Sequence, residues 1–190
     1  MSSQKNILEV ILSSPRTVFT TQSLRMLSDT DDSQKLTKSL HYYAGSGRLL
    51  NPRKGIYAKA GYDEREMACC LYRPAYISLE YVLQRAGVVF QYDESISCVS
   101  YLNREVNIDD RTYRYRIIKP ELWIGMEGIE QHDNILMATP ERAFLDMMYL
   151  SAGNCYFDNL RPLSKLRIKH LLPSYGSQVL ISRVTELLKL

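Results

Sequence analysis

Apolar residues near the start of the chain recur every three or four positions, the period expected when one side of a helix packs on a core. They predict a first helix over residues 4–13, ended by Pro15. A second short helix is expected a few residues later, with Thr20 or Thr21 as its N-cap. Its residues expected to face inward are Leu24 and Leu27.

A third helix is predicted where Asp31 and Gln34 fit a capping box, because such a pair satisfies backbone N–H groups of a first helical turn. Its apolar positions Leu36, Leu40 and Tyr43 follow i, i+4, i+7 spacing and would face the core. Two glycines then end the helix. The polar side and its flanks consist of Gln34, Lys35, Lys38, His41 and Tyr42.

The segment after the third helix predicts a two-stranded hairpin with basic residues at its tip. Residues 48–50 and 56–59 are short strand candidates, and residues 51–55, which include Arg53 and Lys54, have the composition of a turn. Three short helices followed by a hairpin predict a winged helix-turn-helix. In such a domain the third helix enters the major groove of DNA, and the hairpin, or wing, places its cations against phosphates.

Charge is unevenly divided along the chain, although the formal net charge is only +3. Residues 1–60 contain nine Lys/Arg and four Asp/Glu, whereas residues 61–190 contain fifteen and seventeen. A basic end on a near-neutral body favours an anionic partner at that end. The alternatives are a solvated surface and a helical unit that contacts protein. We expect a DNA-binding domain over residues 1–61 and a second domain over residues 62–190.

The second domain is predicted to be α+β, with a small, mostly antiparallel sheet and C-terminal helices. Ser78 is expected to cap a helix that Gly87 closes, and Thr139 followed by Pro140 marks the start of another. Two apolar segments in the last thirty residues, separated by Pro173, predict the C-terminal helices. Strands are expected at residues 95–102, 112–119, 122–126 and 134–137, with a turn at 107–110.

Candidate catalytic chemistry is sparse, and the sequence favours a protein that is not an enzyme and needs no cofactor. The four cysteines and three histidines lack the spacing of a metal site. Glu141, Arg142 and Asp146 form a polar set on one helix, but helix-end placement and an ordinary i, i+4 pair explain it. A metal-dependent nuclease would need clustered carboxylates, for which the candidates are Asp109, Asp110, Glu121, Glu127 and Glu130.

The chain also lacks the features of an exported or membrane protein. Its start reads as an amphipathic helix rather than a signal peptide, and no apolar run approaches the ~20 residues of a bilayer span. We therefore expect a cytoplasmic protein with no membrane partner. Free cysteines fit the reducing conditions of that compartment.

The order of three segments resembles the AbiEi family of antitoxins from type IV toxin–antitoxin systems, which are also described as transcriptional regulators. A winged helix ending in GRLLNPRKGIYAK is followed by AYISLEYVLQRAGV and then, after a strand region, by MATPERAFLDMMYL. The resemblance runs from about Val18 to Leu150, and residues 163–190 match less firmly. Residues that match the family's DNA-contacting positions are Gln34, Lys35, Lys38, His41, Arg53, Lys54 and Tyr57.

The resemblance implies a winged-helix repressor that binds inverted repeats in double-stranded DNA of its own promoter. It also implies that the C-terminal domain counters a nucleotidyltransferase-like toxin without stable binding to it. Two other readings stay open, namely a protein-interaction module whose winged helix does not bind DNA, and a small metal-dependent nuclease. The operator, the toxin and the oligomeric state are not indicated by the sequence.

Overall fold

The computed structural model describes residues 6–28, 32–124 and 126–190, without the side chains of residues 123 and 124. The chain divides into two compact units, Met1–Leu71 and Tyr72–Leu190. Helices and sheets occur together in the described residues, so the fold is α+β. The first unit extends beyond residue 61, where the sequence suggested a boundary, since it includes the helix Glu64–Leu71.

The first unit alternates helices with the strands of a small antiparallel sheet. The strand order is β1-β3-β2, so the third strand lies between the other two. Strand β1 was not predicted, because three residues are too few to show an alternating pattern. The elements are α1 (Ile7–Ser13), β1 (Val18–Thr20), α2 (Thr21–Leu27), α3 (Ser33–Gly45), β2 (Leu50–Arg53), β3 (Ile56–Ala58) and α4 (Glu64–Leu71).

Short polar side chains start the helices of this unit. Thr20 and Ser23 form a capping box at α2, as each accepts a hydrogen bond from the other's backbone N–H. At α3 the cap is Asp32, whose Oδ1 accepts from the backbone N–H of Gln34 at 3.0 Å and of Lys35 at 2.9 Å. The predicted cap Asp31 lies outside the described residues.

An apolar cluster joins helices α1, α2 and α3 of the first unit to its sheet. Leu27, which was expected to face inward, is instead 44% exposed, since α2 ends there and only its Leu24 side is covered. Tyr43, the third apolar position predicted for α3, is half-buried at the edge of the cluster. The buried members are Ile7, Ile11, Phe19, Leu24, Leu36, Leu40, Leu49 and Tyr57.

Helix α4 is fixed to the first unit by one buried carboxylate. Glu66 Oε2 accepts from the backbone N–H of Thr17 at 2.6 Å, from its hydroxyl at 2.6 Å, and from the backbone N–H of Val18 at 3.0 Å. These bonds satisfy the start of strand β1. They explain why the compact unit ends at Leu71 rather than at the hairpin.

The second unit is built on a sheet with the strand order β6-β7-β5-β4-β9-β8. Three of the strand pairs in this described sheet are antiparallel, but β5 with β7 and β4 with β9 are parallel. The sheet is therefore mixed, and larger than the small one predicted. Its strands are β4 (Ala75–Ile77), β5 (Ile96–Ser100), β6 (Arg104–Ile108), β7 (Arg111–Ile117), β8 (Ile129–His132) and β9 (Ile135–Ala138).

Helices complete the second unit. Thr139 accepts from the backbone N–H of Arg142, with Pro140 at the first helical position, which confirms the predicted start of α7. Residues 122–124, predicted as a strand, belong to a single helical turn. The helices are α5 (Leu79–Arg85), α6 (Glu121–Ile124), α7 (Pro140–Leu150), α8 (Lys165–Leu171), a 3₁₀ turn (Leu172–Tyr175) and α9 (Gln178–Leu188).

No helix within the described residues is both long enough and apolar enough to cross a bilayer.

Candidate nucleic-acid interface

Helix α3 presents the predicted polar face to solvent. All five side chains assigned to that face and its flanks are exposed, while Leu36 and Leu40 on the other side are buried in the core cluster. A helix with one anchored apolar side and one polar side has the form that enters a major groove. The exposed residues are Gln34, Lys35, Lys38, His41 and Tyr42.

The position of α3 is held at both of its ends. Near the C-terminal end, the Tyr43 hydroxyl donates to Asn6 Oδ1 at 2.9 Å, and the same oxygen caps α1 by accepting from the backbone N–H of Leu8. The N-terminal end is held by its Asp32 cap. Asp32 already accepts from the backbone N–H groups of the first turn. A phosphate near this end of α3 would therefore be bound by the side chain of Lys35.

The turn between β2 and β3 is tighter than the sequence suggested. Arg53 pairs directly with Ile56, so the tip consists of Lys54 and Gly55, and residues 51–53 belong to β2. Asn51 explains the difference, since its Nδ2 donates to the carbonyls of Arg53 at 3.0 Å and of Ile56 at 2.6 Å. The side-chain amide thereby supports the irregular pairing between Leu50 and Arg53.

The hairpin tip is attached to the start of helix α2. Thr21 donates to the Gly55 carbonyl from its backbone N–H at 2.9 Å and from its hydroxyl at 3.2 Å. Gly55 has φ +80°, a conformation that side chains with a Cβ rarely adopt. Lys54 is exposed and Arg53 is half-buried, so Lys54 is the more accessible of the two predicted wing cations.

Tyr57 does not belong to the surface implied by the resemblance. It is 3% exposed, forms part of the apolar cluster, and pairs with Phe19 in the sheet. Burial raises the pKa of its hydroxyl. Because β3 is the central strand, its side chains pack on both faces, and Tyr57 cannot reach a nucleic acid.

Within residues 6–28 and 32–60, two exposed cations were not singled out from the sequence. Arg25 lies on the exposed side of α2, and Arg48 follows α3 before the hairpin begins. Both belong to the basic region over residues 1–60, so charge alone signals them. Periodicity missed them, because α2 has only seven residues and Arg48 lies outside a regular element.

The structure departs furthest from the sequence-based interpretation at the polar set on α7, Glu141, Arg142 and Asp146. The sequence suggested a helix-end residue and an ordinary i, i+4 pair on the surface. Arg142 and Asp146 are 1% and 0% exposed, and their Nε–Oδ1 distance is 3.1 Å. Asp146 Oδ1 also accepts from the Tyr175 hydroxyl at 2.6 Å. Its Oδ2 accepts from the hydroxyls of Tyr76 at 2.9 Å and Ser78 at 2.8 Å. Ser78 thus binds Asp146 rather than capping α5 through its side chain.

The Arg142 guanidinium joins α7 to the segment before β8. Its Nη1 donates to the Glu127 carbonyl at 3.1 Å, and its Nη2 donates to the Leu122 carbonyl at 3.0 Å and to Tyr76 at 3.2 Å. Burial, the largest single effect, lowers the pKa of Arg142, but Asp146, Tyr175 and Tyr76 together outweigh burial, and the net shift is upward. Four of the five guanidinium N–H groups thus donate within the protein, an arrangement suited to holding the fold.

The described residues contain no group of three or more His, Cys, Asp or Glu side chains arranged to hold a metal ion. The carboxylates named as nuclease candidates are spread over the second unit, with Asp109 and Asp110 in the β6–β7 turn, Glu121 in α6, and Glu127 and Glu130 lining one pocket at the start of β8. Neither observation supports the nuclease alternative.

A scan against protein-family models gave no match for this chain. A search of curated proteins gave no significant match.

Proposed function

We propose that the protein is a winged-helix DNA-binding repressor that recognises its own promoter. The observation that carries the proposal is the element order α1-β1-α2-α3-β2-β3, with an exposed polar face on α3 and an exposed lysine at the hairpin tip. In a winged helix-turn-helix, the helix at the place of α3 lies in the major groove and the hairpin contacts the backbone. The proposed domain spans the described part of the first unit.

The roles of the side chains follow from their chemistry. Gln34 can form two hydrogen bonds with an adenine edge, and Lys38 can donate to a guanine edge, each worth about 1–3 kcal/mol of discrimination. His41 lies two helical turns after Gln34 on the same face of α3, where its side chain can also contact a base edge. Lys35, Arg53 and Lys54 would neutralise phosphates, with Lys54 the principal wing contact because of its exposure.

Anisotropy of a labelled duplex tests the proposal. The probe is the ~100 base pairs upstream of the gene, compared with a scrambled duplex at several salt concentrations. The wild type should bind the upstream duplex at least tenfold more tightly, and Lys38→Ala should reduce that preference. Lys119→Ala, an exposed lysine of the second unit, is the matched control for loss of one charge.

The wing has its own readout in the same titration. Lys54→Ala should weaken binding to both duplexes equally and flatten the salt slope by about 0.9, the value for one lost phosphate contact. An unchanged slope would remove the wing from the interface. If the wild type binds both duplexes equally and weakly, the repressor proposal is overturned. If a pull-down recovers a stoichiometric protein partner and no DNA, the alternative of a protein-interaction module is favoured.

The antitoxin part of the proposal is supported by the resemblance of the ordered segments to AbiEi proteins. It assigns protection against a nucleotidyltransferase-like toxin to the second unit and promoter binding to the first, in a cytoplasmic protein without catalytic activity. Co-expression with the neighbouring toxin gene tests it through cell growth. Lys38→Ala with Lys54→Ala should abolish repression but still restore growth, and loss of both effects together would contradict the division of labour.

A further inference from the structure

A groove of about 600 Å³ lies in the second unit between strand β8 and helix α8. Its strand wall includes Ile129 and Glu130, and its helix wall includes Leu166, Arg167 and Leu171. Ligand sites usually have volumes of about 300–1,000 Å³ and combine an apolar lining with a few polar groups. We call this feature the β8–α8 groove, and its size and lining fit that description.

Gly128 lets the two walls of the groove approach each other. Its φ is +73°, and a Cβ at this position would lie 2.9 Å from the Cβ of Arg142 and 3.1 Å from a methyl group of Leu171. Only a glycine therefore lets the backbone pack this closely on α7 and α8. Because Arg142 belongs to the buried network of the second unit, this part of the groove rests directly on the core.

The strand wall of the groove is also an edge of the sheet, since β8 is the last strand in the sheet order. The backbone N–H of Thr139 donates to the Gly128 carbonyl at 2.7 Å, in register with the pairs between β8 and β9. Antiparallel strands alternate hydrogen-bonded and non-hydrogen-bonded pairs. The backbone groups of Ile129 and Gln131 therefore point away from β9.

Three of these outward backbone groups lack a partner. The Ile129 N–H donates to the Met126 carbonyl at 3.0 Å, but the Ile129 carbonyl and the N–H and carbonyl of Gln131 make no hydrogen bond within the described residues. An edge of this kind is a template for a further strand. The charge of Glu130 limits unspecific pairing, so an added strand has to match it.

The two walls of the groove carry opposite charges. Glu127 and Glu130 lie on the strand side and Arg167 on the helix side, and all three are exposed. Arg167 lies 3.9 Å from Glu141, which is too long for a hydrogen bond, so its guanidinium N–H groups can bind a ligand. A peptide with an acidic and a basic side chain complements both walls, whereas the glutamates would repel a polyanion.

We propose that the β8–α8 groove binds an extended peptide segment of a partner protein, which adds to the sheet as a strand beside β8. Backbone hydrogen bonds to Ile129 and Gln131 hold the peptide. An apolar side chain of the peptide covers Leu166, which is 79% exposed, and an acidic side chain meets Arg167. Residues two apart on a strand point to the same face, so these two side chains are expected two positions apart.

The test selects ligands from a random dodecapeptide library displayed on phage, with the full chain immobilised. Selected peptides are synthesised with a fluorescent label and titrated by anisotropy. Leu166→Glu should weaken their binding by about tenfold or more. Val179→Glu, at another exposed apolar position of the second unit, is the matched control and should bind like the wild type. A library that yields no peptide, or only peptides that bind Leu166→Glu as tightly as the wild type, would overturn the proposal.

Strand addition has a separate test at Gln131. Gln131→Pro deletes the outward N–H, and proline is tolerated on edge strands where that group faces solvent, whereas Gln131→Ala keeps the N–H. The proline variant should bind the selected peptides about tenfold more weakly than the alanine variant. Equal binding by the two variants would overturn strand addition.

Hydrogen exchange of the wild type gives the same information without a variant, should circular dichroism show that Gln131→Pro does not fold. The Gln131 N–H lacks a partner in the free protein, so its exchange should slow by about tenfold or more when a selected peptide saturates the groove. Unchanged exchange at Gln131 would contradict pairing with β8.

Two further measurements define the occupant. The wild type should prefer a selected peptide over its version with an amide in place of the acid, and Arg167→Gln should lose this preference; a preference that persists would overturn the contact with Arg167. A wild-type dimer in sedimentation that Gln131→Pro dissociates would show that a second copy of the chain occupies the groove, and would overturn the peptide partner. Lys38→Ala with Lys54→Ala should leave peptide binding unchanged, so this inference and the proposed function succeed or fail separately.

Discussion

The centre of the first unit is a cluster of aliphatic and aromatic side chains, whereas the centre of the second contains an arginine and an aspartate that are almost entirely buried. In the first unit the lysines of α3 and Lys54 at the hairpin tip are exposed to solvent. In the second, Arg142 is surrounded by acceptors from α6, α7, β4 and the segment before β8. Cationic side chains are thus exposed to solvent in one unit and connect elements of the interior in the other.

The comparison teaches that the cost of a lost side chain depends on what remains behind. Removing part of an apolar core leaves a cavity, and the energy scales with its size. Removing one member of a buried ion pair leaves a charge without its partner in a place that water does not reach. The second unit should therefore be more sensitive to single changes at its centre than the first.

Asp146→Ala is the largest expected effect. It leaves the Arg142 guanidinium buried without its carboxylate and the hydroxyls of Tyr76, Ser78 and Tyr175 without their acceptor. The free energy of unfolding should fall by about 3–5 kcal/mol. Hydrogen exchange measured by peptide should show the loss in Pro140–Leu150, and peptides from Ser33–Gly45 provide the comparison within the same sample.

The matched control replaces both charges. Arg142→Met together with Asp146→Leu removes the pair and fills the space with apolar atoms, so it should destabilise less than Asp146→Ala alone. A double variant that is at least as unstable as the single one would show that the hydrogen bonds to Leu122 and Glu127, rather than the unpaired charge, dominate.

Leu40→Ala makes the corresponding change in the first unit. Leu40 is fully buried between α3 and the rest of the apolar cluster, so its truncation leaves a cavity and should lower the free energy of unfolding by about 3 kcal/mol. Backbone amide hydrogen exchange should become faster in peptides from Ser33–Gly45. Tyr42→Ala, at an exposed neighbouring position, should change stability by about 0.5 kcal/mol or less. A larger loss for Leu40→Ala than for Asp146→Ala would reverse the comparison.

The sequence predicted most of the first unit because its elements are short and locally specified. Thr20 as a cap and the apolar spacing of Leu36 and Leu40 are visible within one or two turns. Two of the misses depended on partners distant in sequence. Strand β1 exists because it pairs with β3, and Tyr57 is buried because β3 lies between two strands. The candidate site on α3 was predictable for the same local reason, since helical period alone turns Lys38 outward.

The second unit was harder to predict for a related physical reason. The parallel pairing of β5 with β7 joins strands that are separated by β6, and no local pattern encodes such a contact. Strand β5 was predicted within residues 95–102, but its burial along the whole length was not, because that depends on elements that cover both of its faces. Arg142 and Asp146 have the spacing of a surface pair, and only Tyr76, Ser78 and Tyr175, from other elements, make them a buried one.

Tyr175→Phe is the smallest of the three changes and tests the network through pH. The variant loses one hydroxyl donor to Asp146 but leaves Arg142, Tyr76 and Ser78 in place, so stability near neutral pH should fall by about 2 kcal/mol. Burial, followed by the negative charge of Asp146, raises the pKa of Tyr175 well above its ordinary value of 10.0. The folded protein therefore keeps this proton at a pH where the unfolded chain has released it.

The direction of the pH effect follows from that difference. The stability that depends on the Tyr175 proton is fully present below pH 10, the ordinary pKa, and declines as the pH rises from there through the higher pKa of the folded state. The phenylalanine variant lacks this decline, so urea unfolding should find the two proteins closer in stability at about pH 11 than at about pH 8. Tyr156→Phe, at an 80% exposed position, is the control and should follow the wild type at both pH values. A gap that stays constant between the two pH values would mean that the hydroxyl of Tyr175 titrates alike in the folded and unfolded chain, and that the centre of the second unit is wetter than its hydrogen bonds imply.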